Sequence, residues 1–318
     1  MSKTNFRSIL AVITDPFAAD QPAALKAAML ARRSKARLIL LNAFMIPQPV
    51  NDVPMDSTEQ ILQSAIRHRR EKILRMAPRW RRQGVKIKVV VEWDYPAHEA
   101  IIRAVQREGA DLVVAHSHRQ GRIARWVLAN TDWELIRHCP CPVWFVRQAE
   151  LPRRPNLLVA VDPFHAHAKP ARLDDRLLDA ANGLSHMLGA TVAVVHAYHA
   201  PVLAATSTMT EPFRMPSAAY ATRDGVERAK SMVCRLAERF DVDVDRCHLI
   251  EGDPSYALPQ FSSRHKTDVL VMGAVSRSMI SRAAIGNTAE RVIDGVDCDV
   301  LVIKPRGFKT SVPKVRPR

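Results

Sequence analysis

The feature that most constrains this chain is that it states one pattern twice. Asp111 opens LVVAHSHRQ, and 157 residues later Asp268 opens VLVMGAVSR. The same offset lays GNTAERVIDGVDCDVLVIKP, from Gly286, over ANTDWELIRHCPCPVWFVR, from Ala129. Earlier segments repeat too, with slightly different offsets. ILAVITDP at Ile9 matches NLLVAVDP at Asn156, and ARLILLNA at Ala36 matches ATVAVVHA at Ala190. A period near half the chain length means two copies of one domain, not a solenoid of short repeats. Copies that have drifted apart can also be scored against each other for the chemistry each has kept.

Both copies alternate short apolar runs with helical patterns. In the first, strands are expected at Ser8–Thr14, Arg37–Ala43, Lys86–Val91, Leu112–Ala115 and Val143–Val146. In the second they are expected at Leu157–Val161, Thr191–His196, Cys247–Ile250, Val269–Met272 and Val300–Ile303. Such runs, rich in Val, Ile and Leu and barely interrupted, suit parallel strands covered on both faces. Helical stretches between them, such as Pro22–Lys35, Ser57–Arg82, Ala97–Arg107 and Asn130–Arg137, supply the crossovers. The expected fold class is α/β: two tandem doubly wound, Rossmann-like domains, each with a five-stranded parallel sheet. The expected limits are 1–150 and 151–306, joined through the Pro/Arg stretch QAELPRRP, with a basic tail over 307–318. That Pro/Arg stretch is too short to let the copies wander far apart, so they are expected to pack together.

The formal net charge is +15. Residues 1–150 hold 24 Lys and Arg against 14 Asp and Glu, with the excess concentrated between Arg67 and Lys88. The excess of the second copy sits in the tail after Pro305. A basic run of this kind serves either as a solvated helix face or as a patch for nucleic acid or another anionic surface. No recognised nucleic-acid motif accompanies it. The opening MSKTNFRSILAVITDP has no long apolar region or small-residue cleavage site, so no secretory signal is expected. No apolar run is long enough to span a bilayer. Five cysteines form an odd, sparse set, which suits a reducing cytoplasm.

Ligands of open parallel sheets sit beyond the strand carboxyl ends, where the strand order reverses. There the second copy offers Asp162 and Pro163 after its first strand, and Gly273 at the end of its fourth. Ser276, Arg277 and Ser278 follow, and Gly286, Asn287 and Thr288 open the last helix. Glycine lets backbone amides approach an anion, and a helix start offers free N–H groups and the positive end of its dipole. The same residues also have plain structural uses as a helix cap, a tight strand exit and a turn dipeptide. The loop His199–Ser217 carries Val202, Leu203, Met209, Phe213 and Met215, an apolar set that could cover a bulkier amphipathic ligand.

The paired domains and the spacing Gly273-Ala-Val-Ser276, nine residues, Gly286-Asn287 resemble the universal stress protein family. Nucleotide-binding members of that family carry G-x-x-G, nine residues, then G-[S/T]. Here Ser276 replaces the second glycine, and Asn287 stands where a hydroxyl residue is expected, with Thr288 next. GNTAERVID, CDVLVIKP and NTDWELIRHCPCPVW resemble the tandem E-type subgroup over essentially the whole chain. In that family the final strands pair between subunits, so the resemblance implies an internal pseudo-dimer in which Val143–Val146 and Val300–Ile303 pair antiparallel, burying an otherwise exposed sheet edge. The resemblance implies a cytoplasmic stress-response protein, regulatory or protective and not catalytic. It would bind ATP or another small anionic, nucleotide-like ligand in the second domain, as monomer or homodimer. In the first copy His116, Arg119 and Ala129 stand where Gly273, Ser276 and Gly286 stand in the second, so that copy is expected not to bind in the family's manner.

Two alternatives remain open. One is a slow nucleotide- or acyl-nucleotide-acting enzyme with a metal held by His165, His167, His196 and His199, all of which follow strands of the second copy. Weak ATPase activity belongs with that alternative, although loop histidines are mostly solvated and no metal is expected. The other is an interaction scaffold with a basic face. No nucleophile elbow, Walker lysine or paired carboxylates stand at a recognisable spacing. Asp94 and Asp253 align after the third strands, where helix capping explains them, and Glu92 and Glu251 align with them as solvated strand-edge residues.

Overall fold

The computed structural model describes residues 6–45, 55–117, 125–148, 150–164, 172–198, 223–273 and 287–315. They fall into two compact units: Asn5–Glu150 with Phe308–Arg318, and Leu151–Gly307. In the first unit the elements run β1 (Ser8–Val12), α1 (Pro22–Ser34), β2 (Arg37–Phe44), α2 (Met55–Arg81), β3 (Lys86–Trp93), α3 (Ala97–Glu108), β4 (Leu112–His116), α4 (Arg125–His138) and β5 (Val143–Val146). The second unit runs β6 (Asn156–Ala160), α5 (Leu173–Leu188), β7 (Thr191–Tyr198), α6 (Arg223–Glu238), β8 (Cys247–Glu251), α7 (Pro254–Arg264), β9 (Val269–Gly273), α8 (Asn287–Gly295) and β10 (Asp299–Ile303).

Every strand pair within each unit is parallel. The orders are β3-β2-β1-β4-β5 and β10-β9-β6-β7-β8. Two doubly wound five-stranded sheets are what the apolar runs predicted. The central strands explain why: Leu10, Leu38, Leu40, Val113, Val159 and Leu270 are fully buried, and each such side chain contributes roughly 1.5–3 kcal/mol by leaving water. Gly109 and Gly189 end α3 and α5 at φ 61° and 65°, a left-handed turn that most side chains resist.

The acidic residue that opens the repeated fourth strand has a structural task. Asp111 accepts from the backbone N–H groups of Arg7 (2.8 Å) and Ser8 (3.1 Å), and Asp268 accepts from that of Asn156 (2.7 Å). Each carboxylate thereby holds the start of the first strand of its unit beside the fourth. Backbone bonds further along correct the register read from sequence. Ile13 N–H donates to Leu41 in the first sheet and Val161 N–H to Val195 in the second, so Ile13 and Val161 are equivalent. The Asp-Pro dipeptides are therefore one residue out of step: Asp162 corresponds to Thr14, and Asp15 to Pro163.

The third strands show the same slip. Asp94 N–H donates to Phe44, whereas Gly252 N–H donates to Tyr198, so Asp94 corresponds to Gly252 and not to Asp253. Asp253 caps α7, accepting from Ser255 N–H at 2.8 Å. Asp94 caps nothing; it forms a two-pronged ion pair with Arg103 at 2.8 and 2.7 Å. Residues 308–315, beyond the second unit, pack on the first. Gln106 Nε2 donates to the Val312 carbonyl at 3.1 Å, and Ser311 Oγ lies 3.1 Å from His138 Nδ1.

Candidate functional site

In each sheet the chain runs outward from its first strand in one direction and then returns to add strands on the other side. The order reverses between β1 and β4 in the first unit and between β6 and β9 in the second. In the second, Val159 pairs with Val271, so Asp162 and Gly273 leave neighbouring strands at nearly the same level. Asp162 and Pro163 follow β6, Gly273 ends β9, and Asn287 and Thr288 are the first described residues of α8. Ser276, Arg277, Ser278 and Gly286 lie outside the described residues, as do His165, His167, His199 and the loop His199–Ser217.

What surrounds Asp162 was not legible from motifs. Its backbone N–H donates to Asp174 Oδ1 at 3.3 Å, which brings a second carboxylate from the first turn of α5. The acidic opening of that helix was the signal, and it resembles ordinary helix-start chemistry. His196, buried at the end of β7, places Nδ1 3.0 Å from the Val161 carbonyl and 3.9 Å from Asp162 Oδ1. A carbonyl only accepts, so Nδ1 carries the proton. Phe164 lies across the ring with centroids 5.2 Å apart. Among the described residues no group of three or more His, Cys, Asp or Glu side chains is arranged to hold a metal ion.

Gly273 has a packing reason to be glycine. A Cβ there would come within 2.6 Å of Leu173 Cδ2, so the first residue of α5 lies over the end of β9. The switch point of the second unit thus has two carboxylates on its β6 side, a leucine over its glycine, and the start of the described part of α8 beyond. Carboxylates repel a phosphate and accept from hydroxyls. The β6 side therefore disfavours an anion and suits a group that donates hydrogen bonds.

The first unit is built differently at the same place. His116 ends β4, where β9 ends in Gly273. Asn42, equivalent to His196, donates through Nδ2 to the Ile13 carbonyl at 2.6 Å, so two different side chains tie the end of the first strand alike. Arg69 of α2 reaches over the Phe44 ring at 4.4 Å from the centroid, and His68 stacks on Phe17 at 5.2 Å. Asp15 is spent on its own turn, accepting from Phe17 N–H at 2.9 Å. Ala129, Asn130 and Thr131 lie within the run of α4, which spans Arg125–His138. Amides inside a helix are already bonded to the preceding turn and are not offered to an anion.

A cavity of about 290 Å³ lies elsewhere, at the outer edge of the second sheet. It is lined by Tyr198, Val226, Lys230, Cys247, His248, Leu249, Ile250 and Phe261. Burial lowers the affinity of His248 for a proton, and His265 and Lys230 act in the same sense. The five cysteines are all free of disulfide bonds and buried. Burial first, and then the neighbouring Cys234, pushes the Cys247 thiol up to about 12, so it is not a nucleophile at neutral pH.

The profile of the universal stress protein family matches residues 5–147 and again 154–304. Universal stress protein E of Escherichia coli (strain K12) is 31% identical over 315 residues, covering 95% of each chain. Universal stress protein E of Photorhabdus laumondii is 28% identical over 320 residues, covering 97% of this chain and 98% of that one. Among solved structures, a putative universal stress protein from Pseudomonas aeruginosa UCBPP-PA14 superposes with a TM-score of 0.65 at 24% identity, covering 94% of both chains. A universal stress protein from Archaeoglobus fulgidus does so with a TM-score of 0.60 at 16% identity, covering 93% of this chain and 96% of that one. The structural likenesses show the fold, while the two profile matches and the full-length sequence similarity show the descent: this chain belongs to the universal stress protein family, as a tandem member of the E type.

Proposed function

We propose that this protein is a cytoplasmic stress-response protein that senses or sequesters one small nucleotide-like anion per chain, at the switch point of its second domain, without turning it over. The observation that carries this reading is that Asp162 and Gly273 leave the neighbouring strands β6 and β9 at nearly the same level, where the first domain has Thr14 and His116. The anionic end of the ligand would face Gly273, Ser276, Arg277, Ser278, Gly286, Asn287 and Thr288. A sugar hydroxyl would face Asp162, beside Pro163. High thiol pKa values and the engagement of His196 with backbone favour binding over catalysis.

The test is calorimetric titration with ATP, together with native mass spectrometry of freshly purified protein to identify any other ligand. One site per chain is expected. Gly286→Val should abolish it by placing side-chain bulk where a phosphate must approach amides. Asp162→Ala should weaken it and Thr14→Ala should not. Two sites per chain, or unchanged affinity in Gly286→Val, would overturn the reading.

A further inference from the structure

Between residues 67 and 82 the first domain holds eight Arg and Lys against a single acid, Glu71. All but Arg82 lie in α2, which runs on to Arg81. The helix turns Ile73, Ala77 and Trp80 into its own core. Arg67, Arg75, Arg79 and Arg82 fall along the opposite stripe, flanked by Arg70 and Arg81, and all six are exposed. Among the described residues none of the six is in an ion pair, whereas Lys88, Arg103, Arg107 and Arg137 of the same unit each pair with a carboxylate. Like charges three and four residues apart on a helix repel by a few tenths of a kcal/mol each, so this arrangement costs stability when alone.

The fold does not demand that charge. Helix α6 makes the same crossover in the second domain and carries Arg223, Arg228, Lys230 and Arg235 against Asp224, Glu227 and Glu238, nearly in balance. Spread over about 22 Å of chain, from Arg67 to Arg82 just past the end of α2, the six arginines form one exposed cationic strip. A nucleic-acid duplex carries one negative charge per about 1.7 Å of its axis, so a segment of that length supplies a phosphate for each of them. Arginine is the side chain best suited to phosphate oxygens. The apolar face of this part of the helix is committed to the core, so it has nothing to insert into a bilayer.

We propose that the outer face of α2 is a docking surface for the phosphate backbone of a nucleic acid, bound without regard to sequence and independently of the small-molecule site in the second domain. The test is fluorescence anisotropy with the full chain and a labelled DNA duplex or single-stranded RNA of about 20 nucleotides, between about 50 and 200 mM salt. With about six phosphates engaged, affinity should fall roughly 1,000-fold over that range. Neutralising four arginines (R67Q, R70Q, R75Q and R79Q together) should lower affinity at low salt at least about 100-fold and reduce the salt slope by about 3–4. The control removes the same charge from α6 (R223Q, R228Q, K230Q and R235Q together). It should change affinity less than about threefold, since counterions are released only where a cation contacts a phosphate. Unchanged melting of both variants shows that the fold is intact. Wild-type protein that binds neither nucleic acid at low salt, or equal losses in the two variants, would overturn the proposal. So would binding to anionic phosphatidylglycerol vesicles with none to nucleic acid.

Discussion

At the end of its fourth strand the first domain presents His116; the second presents Gly273 with Leu173 laid over it. After its third strand the first domain has Asp94 held by Arg103, while the second has Gly252 followed by the capping Asp253. Beneath these differences the two sheets share strand order and the carboxylates Asp111 and Asp268 that hold first strand to fourth. Burial therefore constrains the sheets, while the carboxyl ends have been free to diverge. A duplicated domain can then keep one ligand site and convert the other end to a different use. Predictions that separate the two ends are practical because all five tryptophans, at 80, 93, 126, 133 and 144, lie in the first copy. Their fluorescence reports that domain alone.

The largest effect is expected at Arg103, whose side chain is 3% exposed and grips Asp94 through two nitrogens and Glu99 at 2.8 Å through a third contact. Gln260 stands in its place on α7. Replacing Arg103 by Gln leaves a largely buried carboxylate without its partner and should cost about 3–5 kcal/mol, read by tryptophan fluorescence during urea unfolding. The matching change in the second domain, Asp253→Ala, removes only a helix cap and should cost about 1 kcal/mol with no change in the fluorescence midpoint. Equal losses would mean that the two loops are held in the same way after all.

Next is Gly273. Adding a Cβ forces Leu173 to move, and overpacking of this kind costs roughly 1–3 kcal/mol. Leu173→Ala in the Gly273→Ala background should recover part of that loss, a coupling measured by a double-mutant cycle. If the two changes simply add, the glycine is there for backbone conformation or for a ligand, not for the leucine. His196→Ala leaves the Val161 carbonyl without the imidazole and should cost about 1–3 kcal/mol. His196→Asn, which copies what Asn42 does in the first domain, should restore most of it. Failure of Asn to restore stability would assign the ring a task beyond tying β6 to β7.

How much of this could be read from the residues follows from the same contrast. The strands were legible because a parallel strand buried on both faces leaves an almost unbroken run of Val, Ile and Leu, as in Leu38–Leu41. Register was not. Asp-Pro recurs after both first strands because the dipeptide makes a turn wherever a strand stops. Matching it slips the copies by one residue and gives Asp15 a likeness to Asp162 that the hydrogen bonds do not support. The start of α4 differs from its sequence signal as well. Asn130-Thr131 has the composition of a helix cap, yet the helix already includes Arg125. The glycines of the candidate site were visible as spacing. The roles of Asp174 and Leu173 were not, because an acidic, leucine-led first turn reads as ordinary helix-start chemistry and does not show what it touches.

The smallest predicted effect concerns pH. Burial of His248, with His265 and Lys230 close by, depresses its folded pKa below the ordinary 6.5, and burial does the same to His98 in the first domain, partly offset by Glu134. Unfolding frees both rings to take up protons at a higher pH than the folded protein allows. Between the unfolded value and the lower folded one the unfolded chain binds more protons, so stability falls as pH drops through that window and is fully present above it. His248→Phe keeps a ring against Phe261, now 5.0 Å from the imidazole, and removes the titration. Comparing urea midpoints at about pH 7 and about pH 5, far-ultraviolet circular dichroism should show less acid destabilisation in the variant than in wild type. Tryptophan fluorescence should show the first domain, which retains His98, losing stability as before. An unaltered pH dependence of the dichroism would mean that His248 keeps its ordinary proton affinity at the open edge of its sheet, and that the acid sensitivity of the second domain arises elsewhere.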